Sequence, residues 1–480
     1  MTHLAFPDTP VFRGYAAPVR IEGDVHHLEV IGTIPPELNG DYIRNSADHQ
    51  FPPMFDDDLF LNGDGMLHRV RIANGRASLK TRYVETEKLK LERAAGRALF
   101  GRYRNQFTDD PSVAGVDRGT ANTSVVWHGG KLLALKEAAR PMEIDRETLA
   151  TIGSYDFGGT LRSQTFTAHP KIDPATGEMV AYGYFVEGVA DTAVEIYFIA
   201  PDGTLTRTER FHAPYASMIH DCLLSEHYIA FTICPMVCDW DRVQAGEAFF
   251  HWDDTRPTTV AVVPRAPGGG GNVRWFDSPT PVMQTHTFNA WEEGSLLHLE
   301  HFITQTGWLS QFPDINNPGA REQPPFAYRW TIDLESNTGG FTAEKMFPHI
   351  GEMPMIDLRH ATTKTRHFWF GTSNTELGPM LPFGPKGPPF TCIGHFDAGT
   401  GALDYYYAGP DSSPEEPVFV PRSPDAPEGD GWLVTIVGRR AENRTDLVIL
   451  DALNLSAGPL ATIRFPTRVH EGFHGIWIPR

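Results

Sequence analysis

Four histidines stand in contexts unlike those of ordinary surface or core histidines. They are His169 in Phe166-Thr167-Ala168-His169-Pro170, His220 in Met218-Ile219-His220-Asp221, His286 in Gln284-Thr285-His286-Thr287-Phe288 and His474 in Gly472-Phe473-His474-Gly475. Neutral imidazole is a good ligand for iron, zinc and copper. Four imidazoles from distant segments, with no carboxylate among the ligands, point to a pre-formed catalytic metal rather than a local structural clip. The set runs from position 169 to position 474, so a closed, ring-like fold is needed to bring it together.

Rings that hold a metal need partners behind them, because each donates its other N–H to a carboxylate or carbonyl that sets tautomer and orientation. Three glutamates are candidates. Glu137 ends the run Leu133-Ala134-Leu135-Lys136-Glu137, Glu352 lies in Gly351-Glu352-Met353-Pro354, and Glu416 opens Glu416-Pro417-Val418-Phe419-Val420-Pro421. Taken singly, each also reads as an ordinary solvated glutamate.

The elements that must position these residues read as strands. Short runs rich in β-branched and aromatic residues recur at 131–137, 179–186, 194–199, 228–233, 296–303, 367–371, 433–437 and 447–450. Asp/Gly turns punctuate them: Asp173-Pro174-Ala175-Thr176-Gly177, Asp202-Gly203 and Asp397-Ala398-Gly399-Thr400-Gly401 each supply residues that adopt positive φ. Residues 85–101 differ, with helix formers and an amphipathic spacing that predicts a helix ending near Gly101. Many short strands and few helices predict an all-β fold, sandwich or propeller. The spread of the histidines favours the propeller, where successive blades point their inner ends at one axis. Seven blades would take about 69 residues each of the 480. The expected organisation is one propeller domain over 1–480 with a small helical and loop cap over the top face.

Bulk properties exclude several function classes. The net charge of −19 repels phosphate backbones, which argues against nucleic-acid binding. No run approaches ~18 consecutive apolar residues, so no membrane span is predicted. Met1 to Arg20 lacks a basic start followed by an apolar run. Four cysteines, Cys222, Cys234, Cys238 and Cys392, are too few for a disulfide scaffold; they read as buried thiols in a reducing cytoplasm.

In this setting a larger pattern becomes legible. Leu38-Asn39-Gly40 with Arg44-Asn45, Asn62-Gly63-Asp64-Gly65-Met66-Leu67-His68, Ala168-His169-Pro170, Ile219-His220-Asp221, Glu416-Pro417-Val418-Phe419-Val420-Pro421 and Phe473-His474-Gly475 occur in order. The chain thereby resembles the carotenoid cleavage oxygenase superfamily from near Ile21 to Trp477. The resemblance implies a seven-bladed propeller with a non-haem Fe(II) ion on His169, His220, His286 and His474. It implies that Glu137, Glu352 and Glu416 stand as a group behind His220, His286 and His474, with no glutamate behind His169.

Within the superfamily the sequence looks most like the branch that cleaves phenolic alkenes, the lignostilbene dioxygenases and the isoeugenol or vinylguaiacol oxygenases. Lys136 stands where carotenoid cleavers usually carry an aromatic or apolar residue, and Tyr103 in Phe100-Gly101-Arg102-Tyr103-Arg104-Asn105 matches that branch's tyrosine. The resemblance implies that Tyr103 and Lys136 bind the substrate's 4-hydroxyl. A buried lysine beside a phenol can hold it as the phenolate or in a strong hydrogen bond. Electron density then flows from the ring oxygen to the para-vinyl carbon and activates the double bond toward O₂. The alternative for Lys136 is a lysine that snorkels from its strand end. Phe60 matches an aromatic that packs on the substrate ring, and Trp308 and Phe312 are expected to line the pocket. The stretch around them departs from the Phe-rich version common in lignostilbene cleavers, and the stretch from Val434 to Pro479 is closer to the isoeugenol type.

The expected activity is therefore oxidative cleavage of the alkenyl double bond of a 4-hydroxyphenyl alkene to an aromatic aldehyde such as vanillin, with a homodimer as the candidate assembly. Two other readings stand beside it: an apocarotenoid-cleaving oxygenase, and a non-catalytic propeller that keeps a metal for structure and binds a partner.

Overall fold

A computed structural model of the protein describes residues 5–307, 312–318, 323–336, 340–382, 384, 387 and 389–480. Among them, seven antiparallel sheets of four to six strands form the blades of a propeller. Blades two to six follow one another along the sequence. They start with the strands Ser124–His128, Lys171–Ile172, Cys222–Leu224, Met283–Glu293 and Glu352–Met355, in that order. Blade one pairs Gly40–Asp48 with the C-terminal strand Gly472–Pro479, and blade seven pairs Ala461–Arg464 with the N-terminal strand Glu29–Gly32. The N- and C-terminal segments thus close the ring together, which removes the edges an open set of sheets would expose.

Each run predicted as a strand overlaps one, Tyr228–Ile233 and Leu296–Thr304 among them, although the runs at 131–137 and 179–186 leave their strands after Leu135 and Tyr184. The turn glycines Gly177, Gly203 and Gly401 take φ of 71°, 89° and 74°, the left-handed region that glycine enters without steric cost. Apolar faces of neighbouring blades interdigitate. Leu223, Val260 and Val262 of blade four meet Leu297, Leu299 and Ile332 of blade five, all buried. This burial is what fixes the angle at which one blade meets the next.

The helix is shorter than the sequence predicts. It runs Glu87–Ala95, with Thr86 accepting from the Leu89 N–H at its start and Gly96 at φ 66° closing it. Gly96, not Gly101, takes the left-handed position that ends a helix. A second helix, Trp240–Gln244, and a two-stranded ribbon of Met236–Val237 with His251–Trp252 lie outside the blades.

Three inner strands lose their regular register at the residues of interest. Pairing shifts between Gln284 and Asn289, around His286; between Glu352 and Met355; and opposite Phe473 and His474, where Arg44 pairs Gly475 and Ser46 pairs Gly472. Bulges of this kind re-aim a side group that a straight ladder would send elsewhere. At the last, Gly472 lets the strand pass close to buried Arg44, whose guanidinium a Cβ there would meet.

Candidate metal centre

Every blade sends one residue to a single place on the axis. His474, His169, His220 and His286 come from the inner ends of blades one, three, four and five, and Glu137, Glu352 and Glu416 from blades two, six and seven. The His169 ring centroid is 4.6 Å from those of His220 and His474 and 5.1 Å from that of His286. His169, His286 and His474 bring one ring nitrogen each within 4.8 Å of one another, and His220 Nε2 lies 3.0 Å from His286 Nε2.

The carboxylates fix which nitrogen faces inward. Glu137 Oε1 takes His220 Nδ1, Glu352 Oε2 takes His286 Nδ1 at 2.5 Å, and Glu416 Oε1 takes His474 Nδ1 at 2.8 Å. With each Nδ1 donating, each Nε2 carries a lone pair. Two such lone pairs 3.0 Å apart repel unless a cation lies between them, so the donor set fits a metal ion. His169 fits it as well: its Nε2 is buried and has no hydrogen-bond partner. Burial, then the three neighbouring imidazoles, hold His169 well below the usual histidine range, so the ring stays neutral and able to ligate. At His286 burial also disfavours the charged form, but the Glu352 carboxylate together with Asp221 and Glu416 outweighs it and the pKa is raised. Burial pushes Glu137 up, and His220 with Tyr184 and Arg104 more than offset it, bringing it to about 2.

His169 is held through its backbone instead. Its N–H donates to Thr167 Oγ1 at 2.9 Å, and Ser124 Oγ donates to the Ala168 carbonyl. Asp221 ties three ligand segments together. One of its oxygens pairs Lys171 Nζ at 2.8 Å, two residues beyond His169, and the other accepts from the N–H and hydroxyl of Thr287, next to His286. Lys171 Nζ also donates to Thr287 Oγ1 at 3.0 Å. In the sequence Asp221 stands out only as part of a motif, and Lys171 does not stand out at all.

A cavity of about 420 Å³ opens beside the histidines, in the range of sites that enclose a small ligand. His220, His286 and His474 line it together with Phe60, Tyr103, Lys136 and Phe312. Trp308 lies outside the described residues. Phe473 is a wall that the sequence does not announce; its ring centroid is 6.0 Å from that of Phe60, making a pair of aromatic faces. Phe312 and Tyr103 stand 6.2 Å apart. Lys136 is 7% exposed, with Nζ 3.4 Å from the Leu61 carbonyl and 5.1 Å from the Tyr103 ring centroid. Burial outweighs the pull of Glu137 and brings its pKa down to about 8. Burial pushes the Tyr103 phenol up to about 12 against the opposing charge of Arg104.

Two further contributors are not apparent in the sequence. Tyr184 donates to Glu137 Oε2 at 2.5 Å, and Arg104 Nη1 donates to the Tyr184 oxygen at 2.9 Å. The signal available is weak: a polar-tipped aromatic in an otherwise apolar strand.

Comparisons with known proteins converge on the same chemistry. The model of the retinal pigment epithelial membrane protein family matches residues 16–479. A lignostilbene-α,β-dioxygenase isozyme III of Sphingomonas paucimobilis is 43% identical, over 98% of this chain and 97% of that one. An isoeugenol monooxygenase of Pseudomonas nitroreducens is 37% identical, over 98% of each. The crystal structure of a Pseudomonas brassicacearum lignostilbene dioxygenase superposes with a TM-score of 0.94 at 38% identity, covering all of both proteins.

Proposed function

The chain belongs to the retinal pigment epithelial membrane protein family, the carotenoid cleavage oxygenases, and from that membership we propose that it cleaves the alkenyl double bond of 4-hydroxyphenyl alkenes with O₂. The substrates are of the isoeugenol, 4-vinylguaiacol or lignostilbene type, and the products are two carbonyl compounds, one an aromatic aldehyde such as vanillin. His169, His220, His286 and His474 hold Fe(II), and Glu137, Glu352 and Glu416 orient three of them. The bound iron supplies the redox-active centre that O₂ chemistry requires.

The observation that carries this reading is the position of Lys136. An ammonium group in a cavity shared with three of the histidines, over the face of Tyr103, has no partner in a hydrocarbon substrate. It suits a phenol oxygen, which it holds as phenolate while Tyr103 donates a second hydrogen bond. Phe60, Phe473 and Phe312 offer faces to the aromatic ring and keep water from the reacting bond. A single protomer suffices for the site, since all four histidines belong to it. Among the described residues no helix is long and apolar enough to cross a membrane. The four cysteines are free and buried, which supports a reducing cytoplasm as the setting.

The test is to load the protein with Fe(II), incubate it in air with isoeugenol, 4-vinylguaiacol and lignostilbene, and read aldehydes by chromatography. Aldehyde from at least one is expected. Silence from all three, with turnover of an apocarotenal, would overturn the reading.

A further inference from the structure

Arg104 follows Tyr103 directly and has φ of 55°, a backbone conformation that residues other than glycine seldom adopt. While Tyr103 lines the cavity, Arg104 is half-buried in a cage of aromatic rings: its guanidinium carbon lies 4.6 Å from the Phe249 centroid, 5.3 Å from Phe250 and 5.4 Å from Tyr184. The cage holds the guanidinium in place and leaves Nη1 aimed at the Tyr184 oxygen, 2.9 Å away. The next residue, Asn105, anchors the segment through Nδ2 to the Val243 carbonyl at 2.9 Å.

We infer that Arg104 and Tyr184 are positioning residues for the metal ligand His220, acting through Glu137. The hydrogen bonds run in one direction, from Arg104 to the Tyr184 oxygen and from the Tyr184 hydroxyl to Glu137 Oε2 at 2.5 Å, while Glu137 Oε1 accepts from His220 Nδ1. A cation at the head of such a relay polarises the hydroxyl and strengthens its bond to the carboxylate. Both oxygens of Glu137 are then engaged, and the plane of the His220 ring is set.

The other two carboxylates are held differently. Glu352 accepts the Met353 N–H at 2.6 Å, with the Thr285 hydroxyl beside it, and Glu416 accepts the Gly475 N–H at 2.7 Å, so each has a backbone donor. The carboxylate behind His220 is held by the Tyr184 hydroxyl, and the Arg104 cage behind it adjoins the substrate wall. Phe250 of the cage packs on Phe312 at 5.6 Å, and Phe312 on Tyr103. What occupies the wall of the cavity can therefore be felt at one metal ligand. The inference rests on His220 as a ligand and not on which alkene is cleaved.

The test uses Co(II) as the probe ion in the full-length protein, with Tyr184→Phe, Arg104→Met and Arg104→Lys beside the unaltered protein. Tyr184→Phe removes one hydroxyl and keeps the ring, so it remains informative if Arg104→Met fails to fold. In folded Tyr184→Phe, Co(II) affinity is expected to fall ~10–100-fold and the visible Co(II) bands to move. Arg104→Lys, which retains a cationic donor, should move them less than Arg104→Met. Unaltered affinity and an unaltered spectrum in folded Tyr184→Phe would overturn the relay. If the unaltered protein gave no Co(II) spectrum of nitrogen ligation, the four-histidine site would fall, and the relay with it.

Discussion

Lys136 and Glu137 are consecutive residues directly after the strand Lys131–Leu135, and they attend to the two halves of the site. Lys136 lies with Nζ 5.1 Å from the centroid of the Tyr103 ring, while Glu137 accepts from His220 Nδ1. One short segment of blade two therefore sets the distance between the place where a phenol is gripped and the place where a metal is held.

Replacing Lys136 by Met tests the grip. Loss of a charged hydrogen bond, worth ~1.5–3 kcal/mol, should lower kcat/KM about 10–100-fold. Thermal stability should change little, because the substitution also removes a buried charge. An unchanged rate on 4-hydroxyphenyl alkenes would refute the role of Lys136.

The grip should also respond to pH. Burial brings Lys136 to about 8, so its ammonium form is complete below that value and is lost as pH rises through it. The Tyr103 phenol, raised to about 12, stays neutral throughout the range. The expected profile of kcat/KM falls on the alkaline side with a midpoint near 8, and Lys136→Arg should shift that limb to higher pH.

Metal loading tests the ligands. His220→Ala removes a ring whose nitrogen lies 3.0 Å from that of His286, and should abolish Fe(II) retention measured by elemental analysis. Glu352→Gln should weaken retention ~10–100-fold without abolishing it, since it alters orientation rather than ligation. Full iron occupancy in His220→Ala would mean that the ligands are wrongly assigned.

The Asp221 clamp makes a prediction about stability. Lys171→Met would leave a buried carboxylate with its hydrogen bonds from Thr287 but no cation. Breaking a buried pair in this way costs ~3–5 kcal/mol, readable as a lower denaturant midpoint. A midpoint equal to that of the unaltered protein would show that the clamp contributes nothing to holding the three segments.

Much of this architecture is legible in the residues themselves. Strand runs such as Met179–Tyr184 announce themselves by composition, and turns such as Asp202-Gly203 by the backbone they require. The four histidines stand out because most of their neighbours are small or apolar, Asp221 after His220 being the charged exception. What is not legible depends on the order of blades around the ring. Glu137 of blade two meets His220 of blade four, and no spacing along the sequence encodes that pairing. Nor does the sequence announce the bulge that turns His286 inward, because bulges follow from cross-strand register. Tyr184 looks like one more aromatic of a buried strand until its hydroxyl is seen on Glu137. The helix end is ambiguous in the sequence because two glycines, Gly96 and Gly101, are available to close it, and only the backbone distinguishes them.

The measurement that tests the central claim most directly compares two substrates on one preparation of Fe(II)-loaded protein: a 4-hydroxystilbene and its 4-O-methyl ether, with aldehyde and O₂ consumption followed together. Aldehyde formed in step with O₂ uptake is expected from the phenol, and at least ~10–100-fold lower kcat/KM from the ether, which cannot become a phenolate beside Lys136. Equal cleavage of both would contradict a site built around the phenol oxygen.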